Sequence, residues 1–175
     1  MKIYQLKTVQ KLPVSLETAW DFFSNPKNLA KITPAWLNFK IMSDLPKKMR
    51  AGMIISYTVR PLLNIPTAWV TEITNVNEPF YFVDEQRFGP YKMWHHEHIF
   101  KKDEDGLVLM EDIVSYVVPF GILGRIMHGL VISKKIREIF NYRTEVLNKL
   151  FPVDKPHRTA TRNEAESFQR EPQII

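Results

Sequence analysis

The most regular hydrophobic pattern lies near the end of the chain and predicts one long helix over residues 121–151. From Ile132 onward, apolar residues recur every three or four positions, with Lys, Arg and Glu between them. At about 1.5 Å per residue, such a helix is about 40 Å long, roughly the width of a domain of this size. Its apolar stripe therefore needs a broad partner surface.

The residues before this helix supply that surface as a series of short strands. Residues 2–11 form the first strand, and Ser15 and Asn25-Pro26 then start two short helices. Turn residues and runs rich in Ile, Val, Thr and aromatic side chains predict further strands at 36–43, 53–60, 68–76, 80–88, 91–102 and 107–118. Strands this close in sequence form an antiparallel meander, so the predicted fold is α+β.

Composition indicates one globular domain, residues 1–152, followed by a polar tail at 153–175 that we predict to be flexible. The 175 residues include no cysteine, which excludes disulfides and cysteine-ligated zinc. The start of the chain lacks the apolar core of a signal peptide, and Pro119, Arg125 and His128 interrupt the most apolar run. We therefore expect a cytoplasmic protein. The net charge of +5 is scattered and matches no nucleic-acid-binding motif.

Polar residues interrupt an otherwise apolar face of the hairpin formed by residues 91–118. If Glu104-Asp105-Gly106 is its three-residue turn, with Gly in the left-handed position, Asp103 faces Leu107. The numbers of opposed residues in the hairpin then sum to 210. Alternation along each strand then places all the even-numbered side chains on one face. We predict this to be the inner face, and it comprises Trp94, His96, His98, Phe100, Met110, Asp112, Val114 and Tyr116.

Three interpretations of His96, His98 and Asp112 remain open from the residues alone. The three groups can satisfy one another's hydrogen bonds, orient the polar end of a ligand in a cavity, or act in catalysis or metal binding. The zinc-protease pattern needs His-Glu-x-x-His on a helix, and these histidines lie on a strand. His96, His98 and Asp112 could supply three metal ligands, but we assign no metal and no cofactor.

Arg143 falls on the apolar stripe of the long helix, where a cation is unexpected. It either extends along the helix to the surface or enters the interior and pairs with Asp112, Asp84 or Glu85. Strand 80–88 can present Phe82, Asp84 and Gln86 inward, or Tyr81, Val83 and Glu85, depending on the turn at Gly89-Pro90.

The order of elements, together with several short motifs, resembles a known superfamily. The motifs are Phe88-Gly89-Pro90-Tyr91, Trp94-x-His96-x-His98-x-Phe100, Gly106, Asp112-x-Val114-x-Tyr116-x-x-Pro119, Gly121, Gly124 and Ile139-Phe140-x-x-Arg143. Over residues 2–151 the chain resembles the helix-grip fold of the START-related, birch-pollen-allergen-like (SRPBCC) superfamily, in particular its small bacterial ligand-binding branch. The resemblance implies a curved sheet of about seven antiparallel strands wrapped around the long C-terminal helix, with an apolar tunnel between them. It also favours the face that carries His96 as the cavity wall.

We therefore predict a protein that binds a small hydrophobic molecule of lipid, polyketide or isoprenoid type, with its oligomeric state left open. The expected ligand-binding residues are Phe82, Asp84, Gln86, Trp94, His96, His98, Phe100, Met110, Asp112, Val114, Tyr116, Ile136, Ile139, Phe140 and Arg143. One alternative is a cyclase or dehydratase that uses His96 or His98 with Asp112 as general acid and base. A second is a membrane- or protein-docking module whose basic patch comprises Lys47, Lys48, Arg50, Lys134, Lys135 and Arg137.

Overall fold

A computed structural model describes residues 1–46, 48–61, 64–152 and 173–174 of the chain. The strands are β1 Tyr4–Leu12, β2 Lys40–Ile41, β3 Met53–Val59, β4 Thr67–Asn77, β5 Tyr81–Phe88, β6 Met93–Lys102, β7 Val108–Val117 and β8 Gln173–Ile174. The helices are α1 Leu16–Phe23, two 3₁₀ helices at Pro26–Ile32 and Ala35–Leu37, α2 Gly121–Met127, a π turn at His128–Ile132 and α3 Ser133–Leu150.

All described strands belong to one antiparallel sheet in the order β2-β3-β4-β5-β6-β7-β1-β8. The prediction of a curved sheet around a long C-terminal helix, with short helices after the first strand, is confirmed. Most of the predicted tail lies outside the described residues. Its residues 173–174 form β8 beside β1.

The hairpin register predicted from the Gly106 turn is confirmed at every pair of β6 and β7. His96 faces Val114 and His98 faces Asp112, and Gly106 adopts the left-handed conformation at φ 76°. In β5, the pairs Phe82–His98 and Asp84–His96 place the even-numbered residues inward. The inner side chains of the neighbouring strands β5, β6 and β7 therefore lie next to one another.

The strand predicted at residues 36–43 is wrong in most of its length. Ala35–Leu37 form a 3₁₀ helix, and Asn38 adopts the left-handed conformation at φ 46°. Only Lys40–Ile41 pair with β3. The 3₁₀ helix buries Leu37 against Trp69 and Val59, and this packing outweighs the weak alternation of the segment.

The long helix runs from Gly121 to Leu150, as predicted within one residue, but contains a π turn that the sequence did not predict. His128 begins this turn and is buried, with its Nε2 2.8 Å from the Tyr116 hydroxyl and its ring stacked on Tyr4. A π turn adds one residue to the helical repeat. None of the helices in the described part of the chain is long and apolar enough to cross a bilayer.

Candidate functional site

A cavity of about 200 Å³ lies between the concave face of the sheet and α3. Nine of the predicted ligand-binding residues line it: Phe82, Asp84, Trp94, His96, His98, Ile136, Ile139, Phe140 and Arg143. The remaining lining side chains are mostly apolar and come from the short helices and from β3 and β4. Among them, Asn25, Leu29 and Thr33 at the first 3₁₀ helix are partly or fully exposed to solvent.

The other six predicted residues do not line the cavity, which corrects their predicted position in the wall. Phe100 and Met110 pack in the core beneath α1, and Val114 and Tyr116 pack in a second core beside β1. Gln86 instead bonds the backbone of the following turn, with its Nε2 donating to the Tyr91 carbonyl at 2.6 Å.

Asp112, the sixth of these residues, lies behind the two histidines and contacts both. Its Oδ1 is 3.0 Å from His96 Nε2 and 2.9 Å from His98 Nδ1, although the second pair is not aligned as a hydrogen bond. Asp84 lies on the opposite side of the rings, with Oδ2 2.9 Å from His98 Nε2 and 3.5 Å from His96 Nδ1. Each imidazole is therefore held between the same two carboxylates.

Arg143 enters the interior, so the interpretation as a surface-directed side chain is wrong. Its Nη2 lies 3.5 Å from Asp112 Oδ1, and its guanidinium lies between the rings of Phe23 and Phe140. Its Nε has no hydrogen-bond acceptor among the described residues. We call Asp84, His96, His98, Asp112 and Arg143 the inner polar cluster.

The electrostatics of this cluster follow from burial opposed by close opposite charges. Burial alone would raise the pKa of Asp112, but Arg143 and the two histidines hold that pKa well below its usual range. The pKa of Asp84 is likewise lowered against the effect of burial, chiefly by His98. Both aspartates are therefore carboxylates at neutral pH.

The two histidines shift in opposite directions. Burial and the neighbouring His98 lower the pKa of His96, because two adjacent imidazolium charges repel. Burial also opposes protonation of His98, but Asp112 and Asp84 outweigh it and raise its pKa. The opposite shifts in pKa favour protonation of His98 over protonation of His96.

Tyr57 and Thr71 form a second polar group on the cavity wall that the sequence analysis missed. The Tyr57 hydroxyl is 2.9 Å from Thr71 Oγ1, which also accepts a hydrogen bond from Trp69 Nε1 at 3.1 Å. The bond between the two hydroxyl groups uses only one of their two hydrogens, so the other has no acceptor among the side chains that the structure describes. The alternation of apolar residues in β3 at Met53, Ile55 and Val59 carried the signal for this inward face.

Comparisons with known proteins place the fold but not the activity. No protein-family model matches the sequence, and no curated protein matches it significantly. Among solved structures, TTHA0849 from Thermus thermophilus superposes with a TM-score of 0.61 at 14% identity, covering 83% of this chain and 94% of that one.

Two further solved structures share the fold. A START superfamily protein from Mycobacterium smegmatis superposes with a TM-score of 0.59 at 11% identity, covering 85% of this chain and 97% of that one. Ara h 8.0201 superposes with a TM-score of 0.55 at 12% identity, covering 85% and 99%. The chain thus shares the helix-grip fold of these structures.

Proposed function

We propose that the cavity binds a small, mostly apolar molecule that carries at least one hydrogen-bond acceptor. The observation that supports this most directly is the Arg143 Nε–H, which is buried at the cavity without an acceptor in the described part of the chain. A buried donor that stays unpaired costs about 1–3 kcal/mol. A carbonyl, hydroxyl or carboxylate oxygen of a ligand would remove this cost.

The size of the cavity favours a compact molecule over a long-chain lipid. Its volume of about 200 Å³ is below the roughly 300–1,000 Å³ of pockets for drug-sized ligands. Aromatic side chains, including Trp69, Tyr91 and Trp94, contact one another along one side. A ring system of isoprenoid or polyketide type would pack against these faces, with its oxygen toward the inner polar cluster.

A cavity-filling variant with a matched control tests this proposal. Ile139→Trp places a bulky indole ring in the cavity, whereas Ile54→Trp adds the same ring on β3 at a position that is 49% exposed. We expect Ile139→Trp to weaken binding of an apolar fluorescent probe at least tenfold, and Ile54→Trp to bind as the parent does. Native mass spectrometry of the full-length parent should show a co-purified small molecule. Equal probe affinity in parent and Ile139→Trp, with melting temperatures unchanged, would contradict the proposal.

The enzyme alternative remains a hypothesis that shares this site. It requires at least one histidine at the cavity surface, and both His96 and His98 line the cavity. Asp112 contacts both rings, as an orienting carboxylate would. Turnover of the co-purified molecule, lost in Asp112→Asn and retained in a surface variant such as His95→Gln, is its test.

A second candidate function is contact with an anionic lipid surface through an exposed apolar helix face. This face comprises Ile122, Leu123, Ile126 and Leu130, which are 54–70% exposed. Arg125 lies on the same helix, and residues 113–137 include four basic and no acidic side chains. Apolar residues interleaved with cations are typical of helices that lie in the headgroup region of a membrane.

Vesicle binding with matched variants tests the lipid contact. We expect the protein to co-sediment with vesicles that contain phosphatidylglycerol, and less with neutral phosphatidylcholine. Leu123→Ser/Ile126→Ser should abolish the difference, whereas Ile54→Ser, an exposed apolar position on the sheet, should not. Binding that is indifferent to lipid charge or to the double substitution would remove this candidate. Of the basic patch predicted from the sequence, Lys48 pairs with Glu78 instead, and Lys47 lies outside the described residues.

A further inference from the structure

Three potential metal ligands meet on the cavity wall. Asp84, His96 and His98 each offer one ligand atom, and all three atoms lie within 4.8 Å of one another. Asp84 Oδ2 lies 2.9 Å from His98 Nε2 and 3.5 Å from His96 Nδ1. Two atoms bound about 2.0–2.2 Å from one metal ion, at coordination angles of 90–110°, lie roughly 2.8–3.6 Å apart. The spacing of the carboxylate from both imidazoles therefore matches a shared metal ion.

Of the two ring nitrogens that face away from Asp84, that of His96 is held in the manner of a metal-bound histidine. His96 Nε2 and His98 Nδ1 both lie on Asp112 Oδ1, at 3.0 and 2.9 Å. A metal-binding histidine almost always donates its second ring N–H to a carboxylate or carbonyl, which fixes the ring and its tautomer. His96 has this arrangement with Asp112, whereas the 2.9 Å contact of His98 Nδ1 is not aligned as a hydrogen bond, and Asp112 itself does not line the cavity.

We propose that Asp84, His96 and His98 bind a divalent transition-metal ion, of the zinc or iron(II) class, at the cavity surface. The sequence led to no metal assignment and offered Asp112 as a third ligand, whereas in the structure Asp84 groups with the two histidines. Two imidazoles and one carboxylate suit zinc and iron(II), whereas magnesium and calcium prefer oxygen ligands alone. Positions not taken by the protein face the cavity, because all three ligand residues line it.

The charges around the site accommodate a dication. Asp84 and Asp112 supply two negative charges next to the proposed ion, and a buried ion needs such compensation. Arg143 contacts Asp112 Oδ1 at 3.5 Å, so its positive charge partly offsets that of Asp112. A metal-bound water or ligand oxygen at the open positions would be polarised there.

Metal titration of the full-length, tag-free protein tests this site. After removal of metal with EDTA, we expect the protein to bind one equivalent of Zn²⁺ in competition with a chromophoric chelator. Bound Co²⁺ should give visible d–d absorption that EDTA abolishes, and Zn²⁺ should raise the melting temperature of the unsubstituted protein. These measurements use the unsubstituted protein, so they do not depend on whether a variant folds.

Matched histidine variants then locate the ion. His96→Gln should weaken Zn²⁺ binding at least 100-fold, and Asp112→Asn, which positions the rings, should weaken it about 10–100-fold. His95→Gln is the control, because His95 lies on the outer face with its Nδ1 2.8 Å from Glu85. Binding of less than one equivalent, no change in melting temperature with Zn²⁺, or equal affinity in parent and His96→Gln would overturn the proposal. Comparing probe affinity of the parent and Ile139→Trp in EDTA tests the ligand cavity separately, because that comparison needs no bound metal.

Discussion

Arg143 provides the sharpest test of how the inner polar cluster is held together. Replacing it with Met removes the charge but keeps a long side chain that can still pack between Phe23 and Phe140. The substitution leaves Asp112 buried, with 4% of its surface exposed, and without its cationic partner on α3. The change in stability therefore reports mainly on the charge pair.

The expected magnitude follows from the distance between the two groups. At 3.5 Å and an effective dielectric constant of about 20, the attraction is about 5 kcal/mol. The cost of desolvating Arg143, which the variant no longer incurs, reduces the net effect. Removing one partner of a buried pair typically destabilises a protein by about 3–5 kcal/mol. We expect Arg143→Met to cost about 3–4 kcal/mol, which lowers the melting temperature of a domain this size by roughly 6–16 °C.

Urea unfolding and thermal melting in EDTA at pH 7 are the assays, with Arg125→Met as the control. Arg125 is exposed on α2, and its substitution should change stability by about 0.5 kcal/mol or less. Adding Asp112→Asn to Arg143→Met should cost less than the sum of the single effects, with a coupling of about 1–3 kcal/mol. A loss in Arg143→Met no larger than in Arg125→Met, or additive single effects, would refute the argument that this pair is coupled.

Three further predictions follow from other contacts, each checked by thermal melting. Gly124→Ala should destabilise the fold by about 1–3 kcal/mol, because the added Cβ would lie 1.8 Å from the Pro119 carbonyl oxygen. Gly129→Ala is the control: its added Cβ meets no atom, so it should be neutral or stabilise the helix by up to about 1 kcal/mol. Loss of stability in both variants would contradict this. Glu111→Gln should lower the melting temperature at pH 7, because Lys7 holds the pKa of Glu111 below its usual value of 4.5 only in the folded state. The difference in melting temperature between parent and variant should shrink as pH falls below 4.5. A difference that is constant with pH would refute this prediction. Gln86→Ala should cost about 1–2 kcal/mol through its lost bonds to the Tyr91 backbone, without a change in metal affinity.

Several features of the fold could be predicted because short-range rules determine them. Gly106 sets the register of β6 and β7, and alternation then places His96, His98 and Asp112 on the inner face. The three-and-four spacing of apolar residues likewise determines the extent of the long helix. Each of these inferences needs only neighbouring residues or one turn.

The details of the site depend on contacts between distant segments, which no local pattern encodes. The choice of Asp112 as the partner of Arg143 depends on how α3 lies across the sheet. Register shifts in the pairing of β4 with β5 set where Thr71 meets the cavity. For Gln86, even-numbered parity in β5 suggested the cavity, but the side chain turns to bond Tyr91 at the end of the strand.

The π turn at His128 has a consequence for how the two halves of the long helix face. One extra residue rotates the following helix by about 100° relative to the preceding one. The side chains of Ile126 and Leu130 therefore point away from the sheet, while those of Ile136 and Phe140 line the cavity. A single inserted residue thus gives one helix an exposed apolar surface in its first half and a cavity-lining surface in its second half. The exposed surface can therefore change in sequence without altering the shape of the interior.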